Sequence, residues 1–472
     1  MAILSNYPAQ LKDYFFAQKI ELRELLYRAM MPDRSLLTHF PYTRSVPAHI
    51  AALQFALRTL DLSEVASPGA QRLLSERRLV KLLKIARRAP WWKARLGSKK
   101  SIHEIQSIKK NDLRQIKKDL LVTGGPGALA RMTWRRTSGT NGEPFEWGMD
   151  AVSLLRSMNP HYLRPLHYYD NALAEVESVD VLAINMPHGN EVVPYGPIRK
   201  DLVFKIGTDQ QKESGALETL VKQISESRPT RVLYGYPSEF LLLAQEIERS
   251  GRSCSASIIL TTGQILEESA RETITRCFGA KVYSFYSSRE LGPVAFECRD
   301  NLQLFHVCAE RILLEILEAE RGADDVFEGK IVATAYDQGA MPLIRYETGD
   351  RGTLSAKGEA CTCGLTLPQL TFSGRVTDFL LLSGGRRVPA RRIRSTILEQ
   401  PFFEEIRRWR ATQSSIDQVV LELETFDSSA LSKEVESSLR ARLKEKVGDI
   451  AIEFKYLSFK EVSGKFKDFI PL

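Results

Sequence analysis

Long apolar runs are missing from this chain of 472 residues. Nothing in it approaches the 18 or so consecutive apolar residues of a spanning helix, so no membrane span is expected. No leader is expected either: Met1 to Phe15 shows no basic stretch followed by an apolar one, and nothing suggests secretion. Cysteine is scarce. Six in a chain this long make no disulfide scaffold, and in a cytoplasmic protein clustered cysteines point to metal or catalysis. There is no tandem repeat, no low-complexity segment and no Gly-x-Ser-x-Gly elbow of the hydrolase type. Charge is not one-sided either: 66 Lys and Arg against 58 Asp and Glu leave a net +8. That mild excess suits an anionic substrate and, without a clustered patch, gives no argument for nucleic acid. The apolar share of 43% and charged share of 26% exclude wholesale disorder.

Length predicts two or three domains, or one large α/β body with an appendage. Residues 1–100 read as mainly helical, with Leu79, Leu82, Leu83 and Ile85 at helical spacing between basic residues. Trp91 and Trp92 read as anchors of this region on the body. From about 179, short β-rich runs at 179–185, 231–236, 257–263 and 281–287 take over. Helical stretches that end at Gly251 and Gly279 separate the later runs. Such alternation predicts a sheet of parallel strands covered by helices. Ligands on these sheets sit beyond the carboxyl ends of the strands, which marks Tyr236–Ser238, Thr262–Gln264 and Tyr286–Glu290. After 300 the pattern is strand-rich. The last hundred residues read as a separate α+β unit: a strand at 378–382, helix 391–399, strand 417–426, helix 428–447 and strand 451–459. The boundary is placed near Gly374, giving domains 1–373 and 374–472.

The most informative segment is Thr137-Ser138-Gly139-Thr140-Asn141-Gly142-Glu143-Pro144. Its alternating hydroxyls and glycines let backbone N–H and side-chain O–H groups converge on phosphate oxygens. It lacks the Gly-Lys-Ser/Thr of a Walker A loop. A near-miss dinucleotide fingerprint, Gly125 to Ala130, is set aside because no apolar-faced helix follows it. Four further segments follow in order: Tyr286-Ser287-Ser288-Arg289-Glu290, Arg345-Tyr346-Glu347-Thr348-Gly349-Asp350, Gly374-Arg375-Val376-Thr377-Asp378 and Ser463-Gly464-Lys465-Phe466. Together the five resemble, in order, the motifs of the adenylate-forming enzyme superfamily. Tyr234-Gly235-Tyr236-Pro237-Ser238, Thr261-Thr262-Gly263-Gln264, Met341 to Tyr346 and Cys361-Thr362-Cys363-Gly364 are similar to its phenylacetate–CoA ligase branch, which includes coenzyme F390 synthetase and CapK-type proteins. The resemblance covers residues 75–472.

The resemblance implies a large N-terminal domain that binds ATP and a carboxylic acid, and a small mobile C-terminal domain that turns on a hinge at Thr377 and Asp378. It implies formation of an acyl-AMP with release of pyrophosphate, then transfer of the acyl group to coenzyme A. Thr137, Ser138, Gly139, Thr140 and Gly142 would hold the phosphates, with Gly263 and Ser287 also at the nucleotide. Tyr286 would pack on the adenine, Asp350 would accept the ribose hydroxyls, and Arg375 would add a positive fork. Glu290 would hold magnesium, for which a carboxylate is the expected hard ligand. Lys465 would bring a mobile charge to the reacting carboxylate and α-phosphate. Tyr236, Pro237, Thr262, Gln264 and Phe285 would line the acid's pocket, and their aromatics favour an aromatic acid. Singly, each polar residue has a plainer reading: Glu290 as a cap or a partner of Arg289, Asp350 as a turn residue, Lys465 as a solvated charge.

Some positions depart from the pattern. Glu143 stands where the phosphate loop often carries lysine, Ser287 replaces glycine, Gln264 replaces a frequent glutamate and Thr377 replaces the hinge acid. Cys298, His306, Cys361 and Cys363 can complete a closed tetrahedral zinc site, structural rather than catalytic. Some members of the resembled branch carry zinc at these positions; Cys308 is a rival ligand, and separate small buried residues are the plainer reading. His188, after a strand, reads as solvent-exposed or as pocket lining. The expected partners are a small carboxylic acid and CoA, with a homodimer compatible and neither nucleic acid nor membrane involved. Three alternatives remain: an amine acceptor giving an amide, a catalytically impaired paralogue that only binds, and a polyanion-binding protein suggested by pairs such as Arg386-Arg387 and Arg391-Arg392.

Overall fold

The computed structural model describes residues 9–30, 55, 58–99, 101–115, 119–122, 132–136, 146–150, 164–165, 167–169, 181–183, 216–226, 230–321, 327–355, 360–459 and 466–472. Among the described residues, the N-terminal part forms α1 (Ala9–Met30), α2 (Pro68–Ala86), α3 (Pro90–Leu96) and the short α4 (Lys110–Gln115). Ser67 starts α2 by accepting the Ala70 amide at 3.2 Å, ahead of a proline at the first helical position. On α3, Trp92 is fully buried and its indole N–H donates to the Pro342 carbonyl at 2.9 Å. This helix is thereby fixed to the chain just before a strand of the main sheet.

Strands β1 (Met132–Arg136) and β2 (Glu146–Asp150) pair antiparallel, with Arg136 opposite Glu146. The main sheet begins with β3 (Val181–Ala183). Helix α5 (Ala216–Glu226), β4 (Thr230–Gly235), α6 (Pro237–Ser250), β5 (Ala256–Thr262), α7 (Glu268–Phe278) and β6 (Lys281–Ser288) follow in alternation. Strands β3 to β6 are parallel neighbours. Their apolar runs are nearly continuous because both faces are covered. On one side, Val221, Phe240, Ile274 and Phe278 of α5–α7 pack on Leu233, Ile259 and Val282. On the other, Tyr234, Leu260 and Phe285 join the core that holds Trp92.

The expected sheet of parallel strands covered by helices is this half, and the strand-rich stretch expected after 300 extends it. From β6 the sheet continues antiparallel through β7 (Gly292–Glu297) and β8 (Leu304–Val307), then β12 (Gln369–Arg375), β11 (Leu343–Ser355), β10 (Phe327–Ala335) and β9 (Ile312–Arg321). The reason is local: only three residues separate β6 from β7, and parallel neighbours need a crossover of a dozen or more.

The C-terminal segment folds around a core of its own, from Leu380 to Phe469. A two-stranded ribbon, β13 (Phe379–Leu381) with β14 (Arg387–Pro389), precedes α8 (Arg391–Leu398). Then come β15 (Ile406–Ser415), β16 (Gln418–Thr425), α9 (Lys433–Val447), β17 (Ala451–Tyr456) and β18 (Phe469–Ile470), a sheet in the order β17-β16-β15-β18. The sequence reading missed β15. A register shift between Ile406 and Arg408 interrupts its alternation, so Ile406, Trp409 and Ala411 face inward at uneven spacing. Helix α9 starts later than expected, because Ser432 caps it by accepting the Val435 amide.

One buried carboxylate pins the place where the sheet changes sense. Glu297, 1% exposed at the end of β7, takes two bonds from Arg271 of α7, at 2.7 and 3.0 Å. It also accepts the backbone amides of Ser284 and Gln303, both at 2.7 Å. Arg271 in turn donates to the Val282 carbonyl on β6 at 2.5 Å. Removing one partner of such a buried pair strands the other charge, at about 3–5 kcal/mol. Glu297→Ala is therefore expected to lower unfolding stability by roughly that amount in urea denaturation, and Glu297→Gln, which keeps one of the two acceptor oxygens, by less.

Candidate active site and cysteine–histidine cluster

Residues expected at the nucleotide converge at the carboxyl end of β6. The Tyr286 hydroxyl donates to Asp350 Oδ2 at 2.7 Å, and its ring meets Phe372 edge-on at 4.4 Å. Burial first, and then the Asp350 carboxylate, hold the Tyr286 phenol well above its usual pKa, so it stays a donor. Asp350 sits opposite Arg375 in the β11–β12 register, and Arg375 Nε lies 3.5 Å from its Oδ1. Both carboxylate oxygens of Asp350 thus already face donors.

Glu290, between β6 and β7, is 5% exposed. Its Oε1 accepts the Tyr346 hydroxyl at 3.2 Å and faces Lys110 Nζ of α4 at 3.1 Å. The Gln338 amide donates to its backbone carbonyl. Sequence reasoning gave no role to Lys110 or Gln338, and neither lies in a motif that could have marked them. Tyr346 lies within a quoted motif, next to Arg345. The Lys110 ammonium already supplies the Glu290 carboxylate with a counter-charge, so a magnesium ion held by Glu290 would have to displace it.

The expected acid-pocket residues cluster around the loop after β5. Thr262 Oγ1 donates to the Phe285 carbonyl at 2.8 Å and lies 3.1 Å from Ser287 Oγ. Gln264 Oε1 accepts the Ser238 amide at 3.1 Å, beside Pro237, the first residue of α6. Tyr236 packs beneath Gly263. Phe285 is 1% exposed and belongs to the sheet's core. Between core and C-terminal segment, Val376 N–H donates to the Gly349 carbonyl at 2.9 Å, and Thr377 Oγ1 bonds Asp378 Oδ1 at 3.2 Å. Thr137, Ser138, Gly139, Thr140, Gly142, Glu143, His188 and Lys465 lie outside the described residues. The first six fall between β1 and β2 in sequence.

The metal candidates come together from three places: Cys298 after β7, His306 on β8, and Cys361 with Cys363 in the turn before β12. Their ligand atoms all lie within 4.8 Å of one another. Cys298 and Cys361 sulfurs are 3.7 Å apart, and Cys363 Sγ is 3.3 Å from His306 Nε2. Tetrahedral zinc with its usual bond lengths puts sulfur pairs about 3.8 Å and sulfur–nitrogen pairs about 3.6 Å apart, so the donor set fits. Burial, and then the charge of Arg164, lower the His306 pKa to about 4, which keeps the imidazole neutral as a ligand must be. Its Nδ1 is buried without a hydrogen-bond partner among the described residues. Cys308, the rival, lies outside this group and next to Arg164; burial pushes its thiol up to about 12.

The fold is that of the acyl-CoA ligases that work through acyl-adenylates. The chain is similar to a 2-hydroxyisobutyryl-CoA ligase solved in the postadenylation state with R3-HIB-AMP, at TM-score 0.67 and 17% identity, covering 85% of this chain and 89% of that one. It is also similar to that ligase in an open conformation with 2-HIB-AMP and CoA, at TM-score 0.56 and 17% identity, covering 87% and 93%. In sequence, the chain is 32% identical over 179 residues to a phenylacetate–coenzyme A ligase of Thermus thermophilus. That match takes in 36% of this chain and 39% of the relative, less than half the relative's length. No family model matches the chain. The fold is thus shared with these CoA ligases, while the likeness to the phenylacetate–CoA ligase branch rests on motifs and on this partial sequence match.

Gly263 offers a direct check of the pocket loop. Its φ is +74°, and a Cβ there would stand 2.6 Å from the Tyr236 ring. Gly251 has a similar φ of +62° with nothing within 4 Å of its absent Cβ. Gly251→Ala is expected to cost only the left-handed backbone penalty, about 1–2 kcal/mol. Gly263→Ala is expected to cost distinctly more in the same denaturation assay. Equal losses would mean that Tyr236 does not pack on this loop.

Proposed function

We propose that this protein is an AMP-forming carboxylate ligase that activates a carboxylic acid, an aromatic one, and passes it to coenzyme A. The observation that carries the reading is the meeting of Tyr286, Asp350, Arg375 and Glu290 at the carboxyl end of β6, in a fold shared with CoA ligases. An aromatic acid is favoured by the relative that is a phenylacetate–coenzyme A ligase and by Tyr236 at the pocket loop.

In the first half-reaction a carboxylate oxygen of the acid bonds to the α-phosphorus of ATP. The bond from that phosphorus to the bridging oxygen breaks, and pyrophosphate leaves. The segment Thr137–Gly142 would cradle the phosphates with N–H and O–H donors. Asp350 and Tyr286 would take the ribose and adenine, exchanging their mutual bond for bonds to the nucleotide. Glu290 would hold magnesium, which offsets the charge gathering on the phosphates. Lys465 would neutralise the two anions as they meet. In the second half-reaction the CoA thiolate attacks the acyl carbon and AMP departs, with the C-terminal domain, from Gly374 on, having turned on Thr377–Asp378 to exchange Lys465 for the thiol. Six free cysteines, four of them grouped, support a reducing compartment, the cytoplasm.

A panel of carboxylic acids assayed by ATP–pyrophosphate exchange tests the first step. Lys465→Ala is expected to slow exchange about 10²–10³-fold while ATP still binds, and Glu290→Gln to raise the magnesium requirement. Exchange above a tenth of wild type in Lys465→Ala removes that residue from the mechanism. With the acid identified, product mass in the presence of CoA or amines decides the acceptor: an adenylate that builds up with CoA but is discharged by an amine makes the protein an amide synthetase. No exchange with any acid leaves a binding protein.

The four-residue cluster is proposed to hold one structural zinc. Elemental analysis of protein purified without added metal is expected to find one zinc per chain, and Cys361→Ser or Cys298→Ser to lose it and unfold at lower temperature. A metal-free protein with unchanged thermal stability ends that proposal.

A further inference from the structure

Between the large unit and the C-terminal unit lies a cleft. Pro237, Ser238 and Gln264 line it from one side, and Phe403, Trp409 and Phe466 from the other. Three charged side chains from three places also meet in its lining. Arg394 of α8 grips Asp468 with two bonds, Nε to Oδ2 at 2.6 Å and a terminal nitrogen to Oδ1 at 2.8 Å. Its other terminal nitrogen lies 3.7 Å from Glu267 Oε1, across the cleft on the large unit.

The two contacts differ in kind. The bidentate grip on Asp468 lies within the C-terminal unit and travels with it. The contact with Glu267 crosses between units, is long, and leaves Glu267 Oε1 buried without a hydrogen bond among the described residues. Burial raises the Glu267 pKa, opposed mainly by the charges of Arg394 and Arg391, so its carboxylate depends on the C-terminal unit for a counter-charge. Glu267 directly precedes α7 and follows Gln264 by three residues; Asp468 follows Lys465 by three. Two further contacts seat the same faces together. The buried Gln245 amide of α6 donates to the carbonyls of Phe403 and Ile406, and Leu398 packs on the core beneath α6 and α7.

We propose that Arg394 is a positioning residue that couples the seating of the C-terminal unit to the acid-pocket loop, through a Glu267 contact made when the unit is docked and broken when it turns. This rests on the ligase reading for its consequence. Because docking brings the segment after Lys465 against the loop that carries Gln264, the contact serves the first half-reaction and not the second.

Glu267→Gln removes the charge and keeps the shape. It is expected to raise backbone hydrogen exchange in both 264–270 and 466–470. It should also slow ATP–pyrophosphate exchange about tenfold, within the usual range of coupling between two sites, while CoA transfer from supplied acyl-adenylate is unchanged. Arg394→Lys, which keeps a charge facing Glu267, is expected to retain more of the exchange rate than Arg394→Met. Equal slowing of both half-reactions together with a lowered Tm would mark a merely structural role and overturn the proposal, as would unaltered hydrogen exchange in the two segments. The hydrogen-exchange readout needs no substrate. Loosening in Glu267→Gln without any ligase activity in the wild type would therefore sink the ligase reading and leave the docking contact standing.

Discussion

Glu297 has four N–H groups pointed at a single buried carboxylate, and the arrangement of both candidate sites hangs on that convergence. It joins α7 to β6 and β7 at the place where the sheet turns from parallel to antiparallel. On one side of this point β6 carries Tyr286 toward Asp350; on the other, the next residue along the chain is Cys298 of the cysteine–histidine cluster. A charge taken out of water is tolerated only when its partners are complete. Here the partners come from one helix, one strand and one loop, so the three must sit together for the charge to be satisfied. The hairpin between β6 and β7, which presents Glu290, is thereby held in one geometry.

The same logic runs through the rest of the large unit. Arg164, fully buried, is matched by Glu64 at 2.6 Å and Glu310 at 2.7 Å, tying the N-terminal helical part to the antiparallel half of the sheet. Arg311 and Asp337 form another buried pair, with Arg311 also donating to the Pro293 carbonyl. At the candidate active site the pairing is less complete. Arg375 is 3.5 Å from Asp350, and Lys110 keeps about a third of its side chain exposed while facing Glu290. Pairs that are short and buried hold the frame, whereas long or exposed ones can be exchanged for a ligand's own charges at smaller cost.

Contact between the two units follows the same division. Within the C-terminal unit the Arg394–Asp468 bond is short and double; across the cleft the contact with Glu267 is long and single. A long single contact of this kind is given up at smaller cost than a short, doubly bonded one.

Local signals were enough for the order of elements in the parallel half. Apolar runs gave β4, β5 and β6, and glycines marked the ends of α6 and α7, because period and capping are properties of a few adjacent residues. Motif order likewise pointed to the adenylate-forming fold from sequence alone. The antiparallel continuation, the interrupted strand β15 and the late start of α9 depended on hairpin length, a bulge and a cap that composition does not announce. The cysteine–histidine spacing offered four candidate ligands and a rival, but only folding separated Cys308 from the others, by placing β8 beside β12. Lys110 beside Glu290, Arg271 on Glu297 and Arg394 between Asp468 and Glu267 were invisible in the sequence. A salt bridge between residues far apart in the chain leaves no local pattern, and its partners are chosen by the packing that brings their elements together.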